Sequence, residues 1–146
     1  MDILDGVNLN PLKIIHHPKG NIMHALKSSD PDYVGFGEAY FSAVAKGEIK
    51  GWKMHHEMTL NLIVPVGAIR FVLFDERPHS RSKGLFWEEI IGIDNYQRLT
   101  VPPLIWLAFQ GISPDLNLLL NLANIEHNPV EAENRSTDEI DFNWGI

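Results

Sequence analysis

The chain has no cysteine. That excludes disulfide bonds, cysteine-ligated zinc and thiol catalysis together. Positive charge is also scarce: 12 lysines and arginines stand against 19 aspartates and glutamates, a formal net charge of −7. A surface that wraps a nucleic-acid backbone has to be basic, so nucleic acid is not an expected partner. Long apolar runs are missing too. None approaches the roughly 18 residues of a transmembrane helix, so no membrane partner is expected. The stretch MDILDGVNLNPLK has no basic segment followed by an apolar one. That argues against a signal peptide and for a cytoplasmic protein.

What is present is a chain of 146 residues, 45% hydrophobic and 21% charged, in the range of a globular protein with one core. No repeat, low-complexity block or linker divides it, so one domain over residues 1–146 is expected. Short β-branched and aromatic stretches alternate with Gly, Pro, Asn and Asp. Strands are expected at residues 12–16, 22–25, 38–44, 50–56, 59–65, 68–75, 85–91, 96–101, 105–110 and 116–122. Val66-Gly67, Asp94-Asn95 and Ser113-Pro114-Asp115 read as turns between them. A short polar helix is expected around residues 129–134, and a solvated acidic tail over residues 131–139. The class is all-β, a sandwich or barrel.

The stretch IKGWKMHHEMTLNLIVPVG, from Ile49 to Gly67, carries the chemistry. Side chains alternate along a strand, so Lys53, His55, Glu57, Thr59 and Asn61 share one face, and Trp52, Met54, His56 and Met58 the other. Gly51 could host a bulge that swings Lys50 to the inner side. An interior presenting Lys53, His55 and Asn61 is costly unless it holds a ligand. Histidine titrates near neutrality and suits a general base, and a lysine beside it can hold an oxyanion or a phosphate. On composition alone, a solvated hairpin is the commoner setting for such a run. A metal site is weaker still: His55 and His56 are adjacent and point apart, and no histidine occurs between Val101 and Gly111.

Other residues have bland readings. Trp87, Trp106 and Trp144 suit core or interface positions. His16 and His17 precede Pro18 in an edge or loop. Arg70, within AIRFVLFD, is either inward and paired with a carboxylate or phosphate, or on a dimer face.

The order of these segments is similar to that of the dTDP-4-dehydrorhamnose 3,5-epimerases. KGEIKGWKMH resembles their KG-x-x-RGLH strand, and VGAIRFVLFD resembles RGEIFDVAVDLR. IGIDNYQRLTVPPLIWLAFQG resembles LS-x-x-N-x-x-x-LxIPxGFAHGF, and the closing DFNW resembles the family's IxW. The matches run from about Gly20 to Trp144. The resemblance implies an RmlC-like cupin jelly roll, a homodimer, a nucleotide sugar in the barrel mouth, and no metal or other cofactor.

Carried across residue by residue, the family's diphosphate arginine falls on Lys50, which keeps the charge without the bidentate fork. The base histidine falls on Lys53, with His55 two places on. The lysine of the next strand falls near Leu60 or Asn61, the FAHGF histidine on Leu107, and the acid tyrosine near Leu120. The expected activity is therefore a single-site epimerase or keto-isomerase of a nucleotide-linked 4-keto-6-deoxy sugar. A cupin that binds the sugar nucleotide without chemistry is the alternative. The expected roles are His55 as base, Lys53 on the enolate oxygen, and His56 or Tyr96 as the returning acid. Lys50 and Arg70 would hold the diphosphate, with Asn61, Trp52 and Trp106 lining the site. Replacing His55 with Ala is expected to abolish turnover with little change in melting temperature.

Overall fold

Alternation along each strand decides which side chains meet. In LNLIVPV, Leu60, Leu62 and Val64 turn into the core, whereas Asn61 turns away to accept hydrogen bonds from Arg98 and Thr100. The computed structural model describes residues 3–145. In chain order these form β1 (Asn8–Pro11), β2 (Ile14–Ile15), β3 (Ile22–Met23), β4 (Glu38–Ala43), β5 (Ile49–His55) and β6 (Leu60–Val66). There follow β7 (Ala68–Asp75), β8 (Phe86–Gly92), β9 (Gln97–Val101), β10 (Ile105–Gly111) and β11 (Leu118–Ala123). A single 3₁₀ turn (Pro129–Glu131) then leads into β12 (Ala132–Asn134).

Two five-stranded antiparallel sheets face each other as a jelly roll, in the orders β1-β9-β6-β11-β4 and β12-β5-β10-β7-β8. A small β2–β3 ladder stands beside them. The ten expected strands correspond to β2 through β11, with ends displaced by no more than two residues. Val66-Gly67 is the turn between β6 and β7. Gly67 has φ +79°, and a Cβ there would lie 2.3 Å from the Leu116 carbonyl oxygen, so the position requires glycine.

The main core lies between the sheets and contains Leu62, Val64, Phe71, Leu73, Leu99 and Leu119. Phe71 is wholly buried; truncating such a residue to alanine costs about 3–5 kcal/mol. A second apolar cluster covers the outer face of the other sheet, where Ile140, Phe142 and Trp144 fold back over Trp52, Val72 and Trp106. The tail is thus partly structural. Glu131, expected in solvent, is buried. The expected helix is reduced to the 3₁₀ turn Pro129–Glu131, and residues 132–134 form β12 instead. A helix there would have had no apolar stripe to bury, whereas β5 offers an unpaired edge, with Ala132 opposite His55 and Asn134 opposite Lys53.

Candidate active site

β5 builds one wall of a cavity of about 250 Å³ that opens between the sheets. Lys53 and His55 point into it, while Trp52 and Met54 join the outer cluster. The bulge expected at Gly51 is present. Leu107 opposes Lys53 and Ala108 opposes Gly51, so Trp52 is the extra residue on β5. A Cβ at Gly51 would sit 2.5 Å from the Ala108 Cβ, so only glycine allows β5 to approach β10 this closely. The shift turns Lys50 toward the cavity mouth. There its Nζ donates to the Ala43 carbonyl at 2.6 Å and to Ser42 Oγ at 3.1 Å, tying the two sheets together. Lys53, by contrast, has no side-chain partner among the described residues and is available to a ligand.

His55 ends β5 and is 8% exposed. Its carbonyl accepts from the Leu104 N–H at 2.7 Å, and its Nδ1 is hydrogen-bonded to Glu131 Oε1. Glu131 comes from the 3₁₀ turn, whose first residues are capped by the Asn128 side chain accepting from the Val130 N–H. Its Oε2 accepts from the N–H groups of Glu57 (3.1 Å) and Met58 (3.3 Å). Burial acts to raise the Glu131 pKa. The His55 hydrogen bond and charge and the two backbone N–H groups outweigh it, so the carboxyl is held below its ordinary value. A carboxylate on Nδ1 keeps the proton on that nitrogen and leaves Nε2 as the acceptor.

The facing wall comes from the first sheet: Tyr40 and Ser42 of β4, Leu60 and Leu62 of β6, and Leu119 and Asn121 of β11. Tyr40 and Asn121 are direct cross-strand partners, and Asn121 Nδ2 donates to the Tyr40 hydroxyl oxygen at 2.9 Å. Leu107 and Phe109 supply apolar floor. A histidine held by a carboxylate on one wall and a phenol on the other can remove a proton from one face of a small ring and return one to the other. Among the described residues, no three His, Asp or Glu side chains come together as a metal-binding group.

Five expected site residues lie elsewhere. His56 alternates out of the cavity and pairs with Glu133 at 2.8 Å. Tyr96 donates its hydroxyl to the His24 carbonyl at 2.7 Å behind the first sheet, where burial pushes its phenol upward. Asn61 lies on that same outer face, in a network around the buried Arg98 that also engages the Asp32 carbonyl. Arg70 is on the outer face of the second sheet, bonded to Glu88, Gln110 and the Trp144 carbonyl and flanked by the Phe142 and Trp144 rings. Trp106 is there too, under the Arg135 guanidinium at 4.2 Å. Trp52 borders the cavity, but its ring packs on Trp144 and Phe86. For His56, Asn61, Arg70 and Trp106 a neighbour in sequence takes the inward place.

Three residues were missed. Tyr40 had a legible signal, since EAYFSA places Tyr40 and Ser42 on one face of a strand. Asn121 is the one polar residue in LLLNLA. Glu131 had no local signal.

No protein-family model matches the chain. A dTDP-sugar isomerase from Desulfovibrio desulfuricans is 34% identical, with a TM-score of 0.94 over 100% of this chain and 97% of that one. A dTDP-4-dehydrorhamnose 3,5-epimerase from Sulfolobus tokodaii is 23% identical, with a TM-score of 0.84 over 100% of this chain and 85% of that one, a likeness of fold. A probable low-salt glycan biosynthesis epimerase of Haloferax volcanii is 25% identical over 123 residues, 83% of this chain and 79% of the relative. The fold and the end-to-end match agree with the motif order read from the sequence, and the chain belongs to the family of the dTDP-sugar isomerase, in the RmlC-like fold that the 3,5-epimerases share.

Proposed function

We propose that this chain is an isomerase of a dTDP-linked 4-keto-6-deoxy sugar, acting by proton abstraction α to the ketone. The observation that carries the reading is the His55–Glu131 pair facing Tyr40 across one cavity. His55 Nε2 takes the proton from the carbon beside the carbonyl. The C–H electrons form the C=C bond of an enolate, and the Lys53 ammonium holds its oxygen. The Tyr40 O–H then protonates carbon. Delivery to the opposite face of the same carbon gives an epimer; delivery to the former carbonyl carbon, with the hydroxyl proton of the adjacent carbon passing to the enolate oxygen, gives a shifted ketone.

The cavity volume of about 250 Å³ suits a sugar ring; pockets that enclose drug-sized ligands run to roughly 300–1,000 Å³. The nucleotide then lies along the mouth, past Lys50. The intact dyad argues against the alternative of a cupin without chemistry, because a carboxylate oriented on Nδ1 serves a base rather than a binding surface.

We also infer a homodimer, a single domain over the whole chain, and a cytoplasmic location beside the enzymes that make activated sugars. Phe41, 64% exposed, lies with Leu120 and Leu122 on the outer side of the β4–β11 pair, an apolar face suited to a second copy. Light scattering tests the assembly. For the activity, dTDP-4-keto-6-deoxyglucose is incubated with the protein in D₂O and followed by proton NMR. Loss of a signal at C3 or C5 with appearance of a new keto sugar is expected. Binding without exchange would overturn the assignment in favour of the non-catalytic cupin.

A further inference from the structure

Asn121 is 2% exposed and stands among leucines on β11. Its Nδ2 donates to Tyr40, and its Oδ1 is buried with no hydrogen-bond partner among the described residues. An orphaned buried acceptor is destabilising, so a leucine would suit this wall better on packing grounds alone. The amide has a geometric effect on the phenol instead. With a lone pair of the Tyr40 oxygen taken by an N–H, the hydroxyl hydrogen is left to turn toward the cavity. The reversed amide would accept the O–H, draw the hydrogen into the wall, and leave a buried N–H unpartnered.

We propose that Asn121 is a positioning residue for the reaction: its side-chain N–H directs the Tyr40 O–H into the cavity and holds the tyrosinate oxygen once the proton has moved to carbon. This rests on Tyr40 being the proton donor described above. Negative charge develops on the phenol oxygen only as its proton leaves. The N–H therefore stabilises the second half of the reaction and not the first, which belongs to His55 on the other wall.

That split makes the proposal testable in one tube. Wild-type protein, Asn121→Leu and Asn121→Asp are incubated with dTDP-4-keto-6-deoxyglucose in D₂O. Deuterium entry at the substrate carbon and formation of product are followed separately. In Asn121→Leu, deuterium entry should stay near the wild-type rate and KM near its wild-type value. Product formation should fall about 10²-fold, the usual loss for removing one donor from a developing oxyanion. In Asn121→Asp the carboxylate accepts the Tyr40 O–H and turns it away. Its product formation relative to wild type should rise as the pH is lowered and the new carboxyl becomes a donor.

Unchanged product formation in Asn121→Leu, or exchange and product falling together, overturns the proposal. A ratio of Asn121→Asp to wild type that is flat with pH does so as well, and is decisive if Asn121→Leu fails to fold. Wild-type protein that shows neither exchange nor product overturns the underlying reaction instead, so the two failures are distinguishable.

Discussion

Glu131 hydrogen-bonds the imidazole of His55 across a sequence separation of 76 residues, from a single 3₁₀ turn to the last position of β5. Its other oxygen is fixed by two backbone N–H groups of the loop that follows His55. One carboxylate therefore sets both the tautomer of the base and the path of the chain beyond it.

Glu131→Gln tests that double role. Glu131 is held below its ordinary carboxyl value near 4.5, so the unfolded chain takes up this proton at a higher pH than the folded one. The stability it contributes is full above the ordinary value and is lost as the pH falls through the folded value. The variant should be less stable at neutral pH and should lose less stability than wild type between about pH 6 and about pH 3. Turnover should fall about 10²- to 10⁴-fold, the range for disabling general base catalysis. Thermal denaturation over a pH series, with turnover at neutral pH, measures both. Equal acid sensitivity in the two proteins would exclude the carboxylate as a source of stability.

His55→Ala should abolish turnover, but the sequence-based expectation of an unchanged melting temperature needs revision. The imidazole is buried against Glu131, and its removal leaves a buried carboxylate short of a partner. A loss of about 1–3 kcal/mol is expected. Adding Glu131→Ala to that variant should recover part of the loss, because the uncompensated charge disappears with it. A double variant that is less stable by the full sum of the single losses would show that the two residues do not interact.

Leu104 is the only non-glycine residue with positive φ among those described, at +71°. Set against the resembling segment IPxGFAHGF, VPPLIWLAFQG places Leu104 on the glycine. The left-handed conformation costs an L-residue about 1–2 kcal/mol, and glycine's extra freedom in the unfolded chain returns about 0.5–1 kcal/mol of that. Leu104→Gly should therefore match or slightly exceed the wild-type stability, whereas the β-branched Leu104→Val should be destabilised. Chemical denaturation decides it, and a stable Leu104→Val would contradict the strain argument. Activity should follow stability at this position only loosely, since the Leu104 N–H also holds the His55 carbonyl.

The strands were legible because period-two alternation and turn residues are local properties, and AIRFVLFD coincides with β7 from end to end. His55 and Lys53 were legible for the same reason. Asn61, Arg70 and Trp106 were misplaced because alternation says which residues share a face without saying which face is inward. Leu60, Leu62 and Phe71 take the inward positions beside Asn61 and Arg70, while Trp106 buries its ring on the outer face, in the cluster under the C-terminal segment. Tyr96 precedes β9 and points away from the cavity, and only the pairing of β4 with β11 brings Tyr40 to it. Glu131 lay in a polar stretch that read as helix and solvent. Its burial is a tertiary event, fixed by the edge of β5.

The position of β12 also separates the frame of the fold from its chemistry. A nascent chain that has delivered β1 through β11 already owns every strand of the first sheet and four of the five in the second. It does not yet own Glu131, so His55 at that stage has neither its tautomer nor its orientation set. The two sheets and the orientation of the base therefore draw on different segments of the chain: the frame on β1 to β11, the tautomer of His55 on the turn that leads into β12.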